Sequence, residues 1–176
     1  MDKELFKKTE GRLYRYFRYK KEIQSMKRRI EFLEQQIKEI NSSIRNVHNY
    51  ICVDPYQNGA GISERVQSSS DGTSYVEKEM EMEVTKLEKE QCNKIKGMHK
   101  LEARVREKET YVKYMDINIE MLEEEDKRFI ELKYGDEKSI IAISIKLNIA
   151  QATAYRKREE LVYSIAEFEN TFMGKA

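Results

Sequence analysis

The sequence predicts an all-α protein. A long antiparallel helical hairpin (a coiled coil) over residues 1–121 is followed by a C-terminal three-helix domain over residues 122–176. Three observations carry that prediction. Two stretches repeat apolar residues at alternating spacings of three and four, the heptad pattern of paired helices. A segment between them breaks every helical period. The last part of the chain holds three short amphipathic segments, separated by residues suited to helix stops.

The first seam runs from Leu5 through Thr9, Arg12, Tyr16, Tyr19, Ile23, Met26, Ile30, Leu33, Ile37, Ile40 and Ile44 to Val47. From Ile23 onward every position is apolar. A helix of about 45 residues at 1.5 Å each would be roughly 70 Å long. Its N-terminal part interleaves Arg12, Arg15, Arg18, Lys20 and Lys21 with Tyr14, Tyr16, Phe17 and Tyr19. Basic residues among aromatics suit nucleic-acid contact. The packed and solvated faces of one amphipathic helix are the favoured reading, because Tyr16 and Tyr19 fall on the seam.

Residues 53–74 contain Pro55, Gly59, Gly61, Gly72 and five serines, and read as a mobile loop. The second seam follows: Met80, Val84, Leu87, Gln91, Lys94, Met98, Leu101, Val105, Lys108, Val112, Met115, Ile119 and Leu122. Folding one helix back on the other is the simplest closure. It aligns Leu5 with Leu122, Tyr19 with Lys108, Ile30 with Met98, Leu33 with Lys94, Ile37 with Gln91 and Val47 with Met80. Leu13, Phe17, Met82, Ile95 and Ile117 stay off the seam and call for another cover, most simply a second copy. The seam closes within one chain or between two; the spacing fits both.

Charged residues make up 37% of the 176 and mean hydropathy is −0.81, with one Pro, seven Gly and no Trp. That balance fits long solvated helices rather than a thick globular core. Net charge is only +1, but residues 1–40 carry twelve Lys/Arg against seven Asp/Glu, whereas residues 76–126 carry ten against fifteen. No signal peptide, transmembrane run or lipidation motif is read, so no membrane partner is expected. Cys52 and Cys92 make neither a disulfide framework nor a metal motif, and His48 and His99 are too scattered for a ligand set. The hairpin register keeps the two thiols apart. The expectation is a reduced, cytoplasmic protein without metal or cofactor.

In the C-terminal part, Phe129, Ile130 and Leu132 give the first segment an apolar side, and Gly135 stands where a helix stop is needed. Ser139 is a good N-cap for the second, whose Ile140, Ile143 and Leu147 recur at helical spacing. Asn148 falls at the sharp turn, because Asn tolerates the left-handed conformation. The third segment starts near Gln151. Ala154, Leu161 and Ile165 share one side, while Ala152, Tyr155, Arg156 and Glu159 point the opposite way. The pattern is that of a helix-turn-helix whose third helix offers Gln151, Ala152, Tyr155 and Arg156 to base edges in a major groove. Lys138, Lys146 and Lys157 are the candidates for phosphate contact. Arg158 lies at the edge of the buried side and is expected to snorkel outward.

These residues carry a resemblance. "LEEEDKRFIELKY", "SIIAISIKLNIA" and "TAYR" resemble region four of bacterial sigma factors, and among such domains the phage transcriptional regulators of the RinA/ArpU type. "KKTEGRLYRYFRYKKEI" and "SSSDGTSYVEKEMEMEV" resemble that family too, so the likeness covers most of the chain. The sequence departs from the pattern at Ala142 (often Glu), Ser144 (usually Ala), Asn148 (usually Gly) and Ala150 (usually Ser or Thr). The missing cap at Ala150 costs on the order of 1 kcal/mol. The resemblance implies a DNA-binding transcriptional regulator of phage or prophage genes, acting on double-stranded DNA in the cytoplasm of a bacterial host. The hairpin would dimerise or engage RNA polymerase.

An enzyme is not expected. Glu123, Glu124, Glu125 and Asp126 form an acidic run, but it opens a helix, where carboxylates meet a favourable dipole. No Gly-rich phosphate loop, catalytic Cys/His spacing or nucleophile elbow is found. Two other readings stay open: the small subunit of a phage DNA-packaging terminase, and a coiled-coil scaffold whose C-terminal domain only packs.

Overall fold

The computed structural model describes residues 3–49 and 75–172, and those residues are all-helical, with no strand among them. Helix α1 spans Lys3–Arg45 and ends in a 3-10 turn at Val47–Asn49; α2 spans Tyr75–Glu120. Three shorter helices follow: α3 (Glu124–Ile130), α4 (Ile140–Leu147) and α5 (Gln151–Phe172). The predicted loop 53–74 and Cys52 lie outside the described residues. Cys92 is a free, exposed thiol.

The chain divides into two compact units, residues 1–27 with 103–176, and residues 28–102. The division differs from a boundary at 121/122, because the N-terminal turns of α1 and the end of α2 belong with the three short helices. In this first unit a single core gathers Leu13, Tyr16 and Ile23 of α1, Val105, Val112 and Met115 of α2, and Phe129, Ile130, Ile143, Ala154, Leu161, Val162 and Ile165 farther along. In the unit of residues 28–102, only Ile40 among the described hydrophobic residues falls below a tenth exposed. Two helices sharing one stripe cannot enclose it.

Within each unit α1 and α2 run antiparallel. Tyr16 pairs with Asp116 and Glu22 with Lys108 in the first; Gln36 pairs with Lys94 and Asn41 with Gln91 in the second. Lys108 Nζ sits 3.6 Å from the Tyr19 ring centroid, the predicted neighbour. Lys94 and Gln91 reach Gln36 and Asn41 at 3.1 and 2.7 Å, about one turn beyond Leu33 and Ile37.

The apolar residues left off the seam divide into two groups. Leu13 is fully buried in the core of the first unit, and Phe17, part-buried, lies against Gly135. The burial of Leu13 needs no second copy. Ile95 is part-buried, and Met82 and Ile117 remain about half exposed.

Candidate nucleic-acid interface

Helix α4 begins as its sequence demands. Ser139 has an extended backbone, and its hydroxyl accepts a hydrogen bond from Ala142 N at 3.2 Å. It ends in a left-handed turn at Asn148, with φ 54° and ψ 44°. The Ile149 N–H donates to Ser144 O at 3.0 Å and the Asn148 N–H to Ile145 O at 3.3 Å, the paired bonds of a Schellman stop. The side chain needed there is one that tolerates positive φ, and Asn supplies it.

The preceding stop is built differently from expectation. Gly135 does not take the left-handed conformation; Glu137 does, with φ 56°. The chain widens into a π-helical turn over Glu131–Gly135, where Asp136 N–H donates to Glu131 O at 2.9 Å and Lys138 N–H to Leu132 O at 3.0 Å. Gly135 serves packing instead. A Cβ there would sit 3.0 Å from Phe17 Cδ1, so its absence lets α1 approach the turn. Lys21 Nζ donates to Gly135 O at 2.9 Å and fixes that approach.

Helix α5 presents the face the sequence assigns to it. Ala154, Leu161 and Ile165 are at most 5% exposed and hold it to the core. Gln151, Ala152, Tyr155, Arg156 and Glu159 are exposed. The Arg156 side chain is 73% exposed and has only Glu160 at 3.5 Å, an i,i+4 pair that water screens. Exposed Ile141 and Ile145 lie one turn apart on α4. Sequence reasoning passed over them, since Ile140, Ile143 and Leu147 already account for a buried stripe.

The three phosphate candidates separate. Lys138 and Lys146 come together, and Arg128 acts on Lys146 from α3. Contact with the Lys138 side chain, then its charge, lowers the Lys146 pKa from the ordinary lysine value. Asp136 Oδ2 lies 3.4 Å from Lys138 Nζ, an exposed pair that water screens, so the two ammonium groups still share a single carboxylate. Lys157 is a correction. Its Nζ lies 2.6 Å from Asp126 and 3.9 Å from Glu125, and its side chain is 26% exposed. The acidic first turn of α3 thus holds Lys157, which is not free for a phosphate.

Arg158 is a second correction. It does not snorkel into water; Nε and Nη2 reach Glu10 Oε1 at 2.8 and 2.7 Å. The Tyr134 hydroxyl donates to the same oxygen at 2.9 Å. Burial opposes the Arg158 charge, and Glu10 outweighs it, so its pKa is raised. Burial first, then Glu10, pushes the Tyr134 phenol well above its usual range. Glu10 and Tyr134 are structural partners of α5 at Arg158 that sequence reasoning missed. A guanidinium at the rim of a buried face signals that a carboxylate is needed, but not which of the many in the chain supplies it.

No cluster of His, Cys, Asp and Glu suited to a metal ion is found among the described residues. Among them, too, no helix is long and apolar enough to cross a membrane. No family model, curated protein or solved structure matches the chain.

Proposed function

We propose that the chain is a sequence-specific, double-stranded DNA-binding transcriptional regulator of phage or prophage genes. In this reading the C-terminal domain is a sigma-region-four-like helix-turn-helix of the RinA/ArpU kind, carried by an antiparallel helical hairpin. The observation that supports it best is the split face of α5. Tyr155 and Arg156 stand in solvent beside Gln151 and Ala152, while Ala154, Leu161 and Ile165 anchor the helix from behind. An exposed first turn bearing an amide, a small residue, an aromatic and a guanidinium fits major-groove readout. Lys138 and Lys146 supply the phosphate contacts. The hairpin would act in self-association or in contact with RNA polymerase.

The experiment is selection of bound duplexes from a random pool, followed by a binding series with thermal melts. Arg156→Ala should cost about 1–3 kcal/mol on the selected site and relax one base position, with an unchanged melting temperature. Leu161→Ala should lose binding through lost packing, with a melting temperature that falls. Lys157→Ala should leave the salt dependence as it was. If Arg156→Ala and Tyr155→Ala both fold and bind like the parent, α5 is not the reader.

Partly exposed apolar residues in the unit of residues 28–102, Phe32 at 61% and Met82 at 50%, favour self-association as a second reading. A ring of many copies would point to a packaging small subunit. An assembly that binds no DNA would point to a scaffold.

A further inference from the structure

The basic and aromatic residues at the start of α1 do not share one environment. Lys20 is bound to Tyr16 and Asp116, and Lys27 to Glu109 at 2.6 Å. Arg15, Arg18 and Lys21 instead line a cleft of about 330 Å³ together with Tyr14, Tyr134 and Glu137. Lys133, outside the cleft lining, has its Nζ 6.0 Å from the Tyr14 ring centroid. Arg15 and Lys133 have no ion-pair partner among the described residues. Arg18 has only Glu22 at 3.5 Å, with its own side chain 65% exposed. Gly11 leaves the rim open, since a Cβ there would meet nothing within 4 Å.

The position of the cleft ties it to the interface. Lys21 is bonded to Gly135 O, and Lys138 is only three positions beyond Gly135. Three residues span at most about 11 Å. The α1 cations therefore border the loop that carries Lys138, whose side chain meets Lys146 of α4. Two arginines able to present planar forks and a lysine held in place outnumber the one lining carboxylate, Glu137, and make a site for an anionic oxygen cluster.

We propose that this cleft is a second phosphate-backbone site, in which Arg15 and Arg18 hold phosphodiester groups of the duplex that α5 enters. The proposal rests on the DNA-binding reading above. It assigns the first helix a direct part in binding as well as in packing. Phosphates contacted here carry no base information, so their contribution is the same for every sequence.

The test uses the full chain with Arg15→Gln and Arg18→Gln, singly and together. Lys21 is left intact because it holds Gly135. Binding to a selected duplex and to a random duplex is measured across a series of salt concentrations, beside thermal melts. Each lost phosphate contact lowers the slope of log K against log salt by about 0.9. The double variant should therefore lose about two from the slope on both duplexes, each single variant about one, and the melting temperature should hold. Arg15→Lys with Arg18→Lys should keep most of the slope. A parental slope in the double variant overturns the proposal, while the α5 reading stands if Arg156→Ala still changes specificity. Loss confined to the selected duplex also overturns it, because it would mark base contact. A parent chain that binds no duplex overturns both readings at once.

Discussion

Glu10→Ala removes one carboxylate oxygen shared by Tyr134 Oη at 2.9 Å, Arg158 Nε at 2.8 Å and Arg158 Nη2 at 2.7 Å. The Glu10 and Arg158 side chains are 16% and 26% exposed, so water screens the pair only in part. A hydrogen bond to a charged group contributes about 1.5–3 kcal/mol, and stranding a fully buried charge costs about 3–5 kcal/mol. With this intermediate burial and the stranded Tyr134 hydroxyl included, the loss comes to about 3 kcal/mol. For a chain of this size that lowers the melting temperature by about 6–12 °C. Glu10→Gln keeps an acceptor in place and should lose about half as much. Tyr134→Phe leaves Arg158 its carboxylate and should cost about 1 kcal/mol. Melts followed by circular dichroism, for the three variants and the Glu10/Arg158 double-mutant cycle, check the values. A Glu10→Ala protein within about 0.5 kcal/mol of the parent, the range of an ordinary surface change, would refute the reasoning.

Gly135→Ala would bring a methyl group 3.0 Å from Phe17 Cδ1 and 3.1 Å from Cε1. The overpacking should cost about 1–3 kcal/mol, and Phe17→Leu in the same chain should restore part of the melting temperature. Thr9 is fully buried and its Oγ1 has no hydrogen-bond partner among the described residues. Thr9→Val should therefore stabilise the chain by about 1 kcal/mol; a lower denaturant midpoint would contradict that. Burial, then Asp116, raises the Tyr16 phenol pKa, and burial, then Glu10, raises that of Tyr134. The unfolded chain releases these protons near the ordinary value of 10.0, while the folded chain keeps them. Their contribution to stability is thus fully present below that value and is lost as pH rises above it. Urea midpoints measured across that range should fall, and less steeply in Tyr16→Phe.

What the sequence made legible is what local chemistry decides. The cap at Ser139, the left-handed turn at Asn148 and the buried side of α5 each depend on residues within a few positions of one another. The seams are legible for the same reason, since helical period is a short-range property. Gly135 was legible only in part, because two physical causes select glycine. A helix stop was expected there and the helical turn does end at Gly135, but the packing against Phe17, more than a hundred residues earlier, is a second demand. Lys157 and Arg158 misled in a related way. Their exposure could be placed on a helical wheel, but Asp126 and Glu10 reach them only once the core has closed.

The same closure changes the argument for a dimer. Seam spacing leaves Leu13 and Phe17 without cover, and a second copy is the simplest cover a sequence can suggest. The core of the first unit supplies it instead, leaving Leu13 at 0% exposure. The reason for self-association therefore moves along the chain to the unit of residues 28–102. There two helices share a single stripe, Ile40 alone among the described hydrophobic residues is nearly enclosed, and Phe32 and Met82 stay in water. Apolar side chains left half covered lose about 25 cal/mol for each Å² they keep exposed. A contact between copies would recover that energy in this unit. The first turns of α1, with their apolar side already spent on the core, keep Arg15 and Arg18 for a different kind of partner.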